Sequence, residues 1–401
     1  MCDIKQKTQL AEFLCATKLI IWDQAPMAHH HCFEALDRTL RDILRFSSNF
    51  DPNKVFHGIT VIVGGDFRQI LPVIPKGRRE DIVTSAINKF VIWNHCEIFM
   101  LTENMRLNNK FNNLEDGQSV VDFGNWILRI GNGEFENVDG ESWIEIPEDL
   151  LIKPTRDPIA DIINVTYPDM HDKMKDSQYL QERAILAPTN EIVNKINDQI
   201  LSLVDEEERV YLSSDTVCKS SNSITDLDML YPVEFLNSLE FPGIPKHELK
   251  LKVGIPIMLL RNLNQTAGLC NGTRLIVTQL ADWVIEAKII TGANIGSKVF
   301  IPRIILSPTE SKWPFILKRR QFPISVSFAM TINKSQGQSL NRVGLFLPQP
   351  VFTHGQLYVA ISRVTNRNGF KILIVNDKNR THFLAKNIVY KEIFSNLPRG
   401  I

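Results

Sequence analysis

Short apolar runs recur along the chain, and each of them ends at polar or charged residues. A continuous apolar run of this kind is typical of a strand that is buried on both faces of a parallel sheet. The runs alternate with segments of helical periodicity, and this alternation predicts a doubly wound α/β fold. The predicted strands lie in TKLIIWD (17–23), GITVIVGGD (58–66), EIFMLTENMR (97–106), RAILAPTN (183–190) and FKILIVND (370–377).

The fourth apolar run is followed by a segment with a clear helical pattern. Thr189 stands where a helix N-cap is expected, and Ile192, Val193, Ile196 and Ile200 place one apolar stripe on the helix that follows. This strand–loop–helix unit predicts the start of a second α/β domain.

The composition of the connecting segments predicts the domain limits. Residues 132–180 are rich in Pro, Gly, Asn and acidic residues, which favours a linker with peripheral helices. Short β-like pieces broken by Gly and Pro favour a small β-barrel-like insertion at 273–323. The predicted division is a first α/β domain at 1–131, the linker at 132–180, a second α/β domain at 181–272 and 324–401, and the insertion.

Composition narrows the class of protein. Of the 401 residues, 45 are Lys or Arg and 45 are Asp or Glu, so a nucleic-acid partner would have to be held by local patches. The six cysteines are scattered without a Cys-x-x-Cys pair, which favours free thiols in a reducing compartment. The sequence has no signal-peptide pattern and no run near the ~18 apolar residues of a membrane span, so we expect an intracellular protein without a membrane segment.

The first two predicted strands end at residues that suit phosphate chemistry. LIIW (19–22) runs directly into Asp23, and ligands of open α/β sheets bind at the carboxyl ends of the strands. After the second strand, Gly64 and Gly65 let the backbone approach a ligand, and the amide of Gln69 can sense a phosphate or a water. The alternative for this second segment is a polar loop after a core strand.

Three further positions are candidates on weaker grounds. Arg106 and Arg363 each follow an apolar run, and a guanidinium suits a transferring phosphoryl group, although a strand-end Arg is usually a surface residue. The stretch TINKSQGQS (331–339) gathers small polar residues and Lys334 around a glycine, a composition that can bind backbone phosphates without reading bases. The alternative there is a polar turn.

Two other polar runs invite a functional interpretation that the residues do not favour. HHHC (29–32) resembles a metal site, but four adjacent residues cannot all point at one ion, so we expect a solvated helix start. The basic runs PKGRRE (75–80) and LKRRQ (317–321) can touch DNA phosphates, but solvated surface charge is the simpler expectation.

Eight motifs follow one another along the chain: LIIWDQAPM, CFEALDRTLRDIL, GGDFRQILPV, LTENMRL, ERAILAPTN, GLCNGTRL, TINKSQGQS and YVAISRV. Taken in order, they make the chain resemble the PIF-type DNA helicases of superfamily one, and their sequences are most similar to those of the helicase modules of Helitron transposons. The resemblance implies two RecA-like parallel-sheet domains, a small β-barrel in the second, and ATP-driven 5′-to-3′ movement on single-stranded DNA or DNA junctions. It also implies roles in DNA repair, recombination, telomere or transposon maintenance, in the nucleus or mitochondrion.

The resemblance also implies site roles, position by position. Asp23 would hold Mg²⁺ for bound ATP, and Gln69 would sense the γ-phosphate. Arg106 and Arg363 would stabilise charge on the transferring phosphate, and Gly337 would lie at the nucleotide site. The residues implied to face DNA are Thr331, Asn333, Lys334 and Ser335.

The chain departs from the family pattern at two places. None of its 20 glycines is followed by lysine, so the phosphate loop Gly-x-x-x-x-Gly-Lys-[Ser/Thr] is absent, and the first domain lacks that βα unit. The family's Glu after the magnesium Asp is Gln24 here, and loss of a general base alone costs about 10²–10⁴-fold in rate. We therefore predict an impaired ATPase; the alternatives are a non-enzymatic DNA-binding remnant or a fragment of a longer helicase gene.

Overall fold

The chain folds into two compact units in a computed structural model. The first unit is Met1–Ile146 with Pro350–Arg367 and Leu384–Ile401, and the second is Pro147–Gln349 with Asn368–Phe383. The structure describes residues 2, 4–45, 50–103, 105, 114–135, 137–138, 141–218, 231–308, 313–375 and 383–398. Among these residues, no helix is both long enough and apolar enough to cross a membrane.

The first unit is built around a parallel strand pair and an amphipathic helix. Leu19–Trp22 pairs in parallel with Thr60–Val63, as the apolar runs predict. The expected burial on both faces is wrong for this pair, because Leu19 and Ile21 are 47% and 71% exposed on the face that no helix of the described chain covers. The helix His30–Leu44 buries Phe33 and Leu40 in the core against this pair. The helices of the unit are Gln9–Ala16, His30–Leu44, Arg79–Ser85, Leu114–Asn132 and Gln356–Ile361. Its other strands are Asn137–Val138, Glu141–Glu145 and Leu384–Lys386, which form one antiparallel sheet.

The predicted strand at 97–106 is wrong for the part that the structure describes. Residues 97–102 have no regular secondary structure, and Phe99 and Leu101 are 79% and 98% exposed. A strand needs a neighbour to take its backbone hydrogen bonds, and these residues pair with no strand of the described chain. Arg106 lies outside the described residues.

The second unit contains a four-stranded, all-parallel sheet. Its order is Ala329–Thr331, Arg183–Ala187, Arg342–Leu347 and Phe370–Ile374, which confirms the fourth and fifth predicted strands. The predicted helix is Asn190–Leu203; it has Thr189 as N-cap residue, and its apolar stripe is buried. The other helices of the unit are Pro158–Thr166, Met170–Lys173, Ser177–Gln181 and Val233–Ser238.

Antiparallel sheets make up the rest of the second unit and extend further than the predicted insertion. The first of their strands begins at Arg209, well before the predicted start at 273. Arg209–Leu212 pairs with Glu248–Leu251, and Ser214–Cys218 pairs with Ile316–Gln321, so strands far apart in the sequence belong to the same sheets. A fully buried ion pair joins two of these strands: the Arg319 guanidinium donates to both carboxylate oxygens of Asp215 at 2.6–3.0 Å. The strands are Arg209–Leu212, Ser214–Cys218, Glu248–Leu251, Pro256–Leu259, Arg274–Leu280, Val284–Ile289, Lys298–Pro302, Ile304–Leu306, Ile316–Gln321 and Ile324–Val326.

The division into units also differs from the predicted boundaries. Residues 350–367 and 384–401, predicted within the second domain, belong to the first unit. The helix Gln356–Ile361 packs on Leu114–Asn132, and Leu384–Lys386 pairs with Glu141–Glu145. Part of the predicted linker is a packed helix, since Pro158–Thr166 lies on the parallel sheet of the second unit.

Candidate nucleotide and nucleic-acid sites

The carboxyl ends of the two parallel strands of the first unit meet, and they bring Asp23 beside the Gly64–Gly65 turn. The Gly64 N–H donates to the Trp22 carbonyl at 2.9 Å, and the Ala25 N–H donates to the Gly64 carbonyl at 2.8 Å. The exposed Asp23 carboxylate accepts a 2.8 Å hydrogen bond from the Gln24 N–H. A carboxylate therefore stands at the strand edge, where the sequence predicts it.

The backbone after Asp23 is tightly constrained. Gln24 has a left-handed φ of 55°, a conformation that costs a non-glycine residue about 1–2 kcal/mol. A Cβ on Gly65 would lie 2.2 Å from Pro26 Cδ, so the two turns fit together only because residue 65 has no side chain. Residues held in sparsely populated conformations concentrate at functional sites, although the conformation alone does not assign a function.

Gln69 lies in the short loop that follows the second strand. Its N–H donates to the Asp66 carbonyl at 3.0 Å, which closes the turn. Its side-chain oxygen is buried and has no hydrogen-bond partner among the described residues. Leaving such an acceptor unsatisfied costs about 1–3 kcal/mol, so a water or ligand donor at this place would be favourable.

Arg363 lies in the same unit, just after the helix Gln356–Ile361. It is 5% exposed, and its guanidinium donates to the Val359 carbonyl and the Ser362 hydroxyl, both at 2.9 Å. These bonds hold the side chain against its own helix end. Its predicted partner in charge stabilisation, Arg106, is not among the described residues.

The residues at this strand edge fit a magnesium ion in part. Mg²⁺ in nucleotide sites takes one or two carboxylates and completes its shell with water and phosphate oxygens, and one exposed carboxylate at Asp23 meets that need. The backbone cradle that would bind the phosphates themselves has no counterpart in the sequence.

The stretch TINKSQGQS begins at Thr331, the last residue of the strand Ala329–Thr331, and continues as a loop in the second unit. Thr331 Oγ1 accepts a 3.4 Å hydrogen bond from the Lys334 N–H, and Asn333–Ser335 is one turn of 3₁₀ helix. Gly337 has a left-handed φ of 79° with open space around it. Ser335 is different from the expectation, because it is fully buried and its hydroxyl donates to the Ile332 carbonyl at 2.7 Å.

A cleft of about 670 Å³ opens beside this loop, within the second unit. Thr331 and Lys334 line it, together with Asn190 and Asn194 of the helix Asn190–Leu203, and Lys246 from the antiparallel region. Burial lowers the pKa of Lys334, and no neighbouring carboxylate of the described chain raises it. A partly buried ammonium without an acidic neighbour is suited to an anionic ligand.

Sequence reasoning missed the part of the cleft that the helix and the antiparallel region supply. Asn190, Asn194 and Asp198 are four residues apart, so they share one helix face, and this polar stripe could have been read from the sequence. Lys246 and Lys250 come from a segment with no visible motif, and only the fold brings them to the cleft.

The LKRRQ run is only in part the solvated surface charge that the sequence predicts. Among the three basic residues of LKRRQ, only Lys318 and Arg320 are exposed, because Arg319 forms the buried ion pair.

The ring nitrogens of His29, His30 and His31 lie within 4.8 Å of one another. However, the His29 Nδ1 atom accepts the His31 N–H at 3.1 Å, and His31 Nδ1 lies 3.0 Å from Glu34. These bonds make the run a helix start, as the sequence predicts.

Three family profiles match successive parts of the chain. The profile described as "PIF1-like helicase" matches residues 1–141. "DNA helicase Pif1, 2B domain" matches residues 234–280, and "Helicase" matches residues 310–397.

Individual relatives match between 31% and 95% of the chain. The ATP-dependent DNA helicase Pif1 of Campylobacter jejuni is 26% identical over 403 residues, which cover 95% of this chain and 75% of that protein. The Candida albicans ATP-dependent DNA helicase PIF1 is 21% identical and covers 90% of this chain, but the match spans only 44% of that protein. The human ATP-dependent DNA helicase PIF1 is 34% identical over 131 residues, 31% of this chain and 19% of that protein.

Solved structures share the fold. The Bacteroides Pif1 helicase in complex with ADP-AlF3 and ssDNA superposes with a TM-score of 0.61 at 22% identity, covering 94% of this chain and 75% of that one. The Candida albicans Pif1 helicase gives a TM-score of 0.58 at 20% identity, covering 96% of this chain and 77% of that one. At these identities the likeness establishes the RecA-like α/β fold.

Proposed function

Because the chain belongs to the PIF-type DNA helicases of superfamily one, we propose that its second unit binds single-stranded DNA and that its first unit is a weakened ATP site of a 5′-to-3′ DNA helicase. The observation that carries the DNA part is the cleft beside the TINKSQGQS loop, with Lys334 in its wall. We place its work in DNA repair, recombination, telomere or transposon maintenance, in the nucleus or mitochondrion.

The chemistry of the cleft favours a nucleic-acid backbone. Amide groups of Asn190 and Asn194 and the ammonium group of Lys334 can bind phosphate oxygens without reading base edges. The ammonium of Lys246 is paired with Asp198 at 3.3 Å, on the side of the cleft that also carries acidic residues, so Lys334 is the cation on which the proposal rests. Phe241 adds an apolar surface on which a base can rest. Thr331 lines the cleft from the loop, whereas Asn333 has its DNA role through the family resemblance alone. The buried Ser335 hydroxyl supports the loop rather than the ligand.

The nucleotide part of the proposal is a site with weak chemistry. Asp23 would hold Mg²⁺, Gln69 would sense the γ-phosphate through a water that donates to its unsatisfied side-chain oxygen, and Arg363 would add fixed positive charge. Arg106 and Gly337 have a nucleotide role through the family resemblance alone. Gln24 can hydrogen-bond an attacking water but cannot accept its proton, and no phosphate loop is present in the sequence. We therefore expect little ATP hydrolysis by this polypeptide alone.

A second candidate is a DNA-binding remnant that hydrolyses no ATP at all. The cleft favours it, because every residue in its wall belongs to the second unit and needs nothing from the strand edge at Asp23. The two candidates share the DNA surface and differ in the fate of ATP.

Fluorescence anisotropy with labelled single-stranded oligonucleotides tests the shared part. We expect affinity to fall with salt, and Lys334→Ala to weaken binding while lowering the slope of log K against log salt by about 0.7, the value for one lost phosphate contact on a single strand. The control is Lys153→Ala, since Lys153 is 86% exposed and lies outside the cleft. Salt-insensitive binding, or equal effects of the two substitutions, would contradict the proposal.

A further inference from the structure

The loop that carries Gln69 is held from one side by a short segment of the same unit. Tyr358 donates its hydroxyl to Asp66 Oδ2 at 2.7 Å. The ring is 93% buried, and burial together with the Asp66 carboxylate raises the pKa of its phenol, so the hydroxyl keeps the proton that it donates.

His354 makes a second connection between the same two segments. The Tyr390 N–H donates to its Nδ1 atom at 2.8 Å, so Nδ1 carries no proton in the neutral ring. The proton is then on Nε2, which donates to the Phe67 carbonyl at 2.8 Å. The imidazole is fully buried, and its two nitrogens are both satisfied.

Gly355 completes the contact by backbone packing. A Cβ at this position would lie 2.5 Å from the Arg68 carbonyl oxygen and 2.6 Å from the Gln69 carbonyl carbon. The residue also has a left-handed φ of 73° and begins the helix Gln356–Ile361. The Arg68–Gln69 peptide thus lies directly on the start of the helix that leads to Arg363.

The loop is also held by the end of the helix Leu114–Asn132. Arg68 Nε donates to the Asn132 side-chain oxygen at 2.5 Å. A Cβ on Gly131 would lie 2.7 Å from the Tyr358 ring and 2.8 Å from Arg68 Cδ, so the three groups are in close contact. A shift of the loop at 66–69 away from either segment therefore breaks a hydrogen bond or a packed contact.

We propose that His354, Gly355 and Tyr358, here called the clamp, are positioning residues that fix the Gln69 loop to the segment carrying Arg363. The two side chains then keep a constant separation, and a change at one is transmitted to the other as a rigid displacement. The inference deepens the proposed function and rests on it for the roles of Gln69 and Arg363. All contacts of the clamp lie within the protein, so their effect can be measured without nucleotide or DNA.

Hydrogen exchange measured by mass spectrometry on the full chain tests the link. The variant is Tyr358→Phe, which keeps the buried ring and removes the hydrogen bond to Asp66. A hydrogen bond to a charged group contributes about 1.5–3 kcal/mol, so we expect exchange to rise by roughly tenfold or more in both 66–70 and 356–363. Asp66→Ala should loosen the same two segments, and Asp66→Asn should restore part of the protection, because an amide oxygen can still accept from Tyr358.

The matched control is Tyr179→Phe in the second unit, where the lost hydrogen bond runs to the Pro168 carbonyl at 2.7 Å. It should leave both segments at the wild-type rate. A rise confined to 356–363 would overturn the inference, and so would a uniform rise over the whole first unit, which would mean that Tyr358 only supports global stability. Because hydrogen exchange is measured without ATP or DNA, its result tests the clamp even if the proposed function is wrong.

Discussion

The buried imidazole of His354 makes the stability of the chain depend on pH in a way that one substitution should remove. Burial lowers the pKa of His354 from 6.5 to about 4, against smaller opposing effects of the hydrogen bond to Phe67 and of the acidic groups of Asp66 and Glu392. The Arg79 guanidinium acts in the same direction as burial. The group therefore folds in its neutral form.

The sign and size follow from that shift. Because the pKa of His354 is lower in the folded chain, the unfolded chain binds more protons between about pH 6.5 and pH 4. The contribution of neutral His354 to the free energy of unfolding is therefore complete above about pH 6.5 and is lost as the pH falls toward 4. The full shift of about 2.5 units corresponds to roughly 3 kcal/mol of unfolding free energy, and the part lost between about pH 7 and pH 5 is roughly 2 kcal/mol.

Urea unfolding of the wild type and of His354→Gln at about pH 7 and pH 5 measures this difference. The glutamine cannot titrate, so its unfolding free energy should fall by roughly 2 kcal/mol less than that of the wild type over the interval. His95→Gln is the control, because that side chain is exposed and its removal should leave the wild-type dependence intact. Equal pH dependence in the wild type and His354→Gln would refute the account of the clamp histidine.

Three further substitutions test separate parts of the structure. Gly355→Ala should destabilise by more than Gly292→Ala in thermal unfolding, since both have a left-handed φ but only Gly355 has backbone within 3 Å of the new methyl group; equal losses would contradict the close packing. Asp215→Ala should cost about 3–5 kcal/mol in urea unfolding by leaving Arg319 buried and unpaired, and a loss below about 1 kcal/mol would count against a dry ion pair. Gln24→Glu should raise ATP turnover by less than about tenfold, because the phosphate cradle is still lacking; a gain of 10²–10⁴-fold would make Gln24 the main lesion.

The sequence predicts the parallel parts of the fold well because their signal is local. Leu19–Trp22, Arg183–Ala187 and Phe370–Ile374 are short, mostly apolar runs, and each is a strand in a parallel pair or sheet. The run at 97–102 has the same pattern but no strand beside it, and pairing is a property of the neighbours that periodicity cannot report. The antiparallel region was underestimated for a similar reason, since Ser214–Cys218 pairs with residues about a hundred positions later.

The candidate sites, like the fold, are predictable only where the signal is local in the sequence. Asp23 and the Gly64–Gly65 turn are predictable because a carboxylate and glycines at strand ends are visible in the sequence. The clamp is not predictable from the sequence, because nothing near His354 and Tyr358 in the sequence marks them as functional. Their partners, Phe67 and Asp66, lie nearly 300 residues away. Ser335 shows the opposite error, where a motif residue predicted to face DNA turns inward to hold its own loop.

The most direct test of the account is ATP hydrolysis by the purified chain, with and without single-stranded DNA, alongside Arg363→Ala. A melting curve and the anisotropy assay establish first that both proteins are folded and bind DNA. We expect the wild-type rate to be low, little changed by DNA and close to that of Arg363→Ala, which fits a DNA-binding surface joined to a weakened ATP site. DNA-stimulated turnover that disappears in Arg363→Ala would contradict this, since it would mean that the site works fully without a phosphate loop.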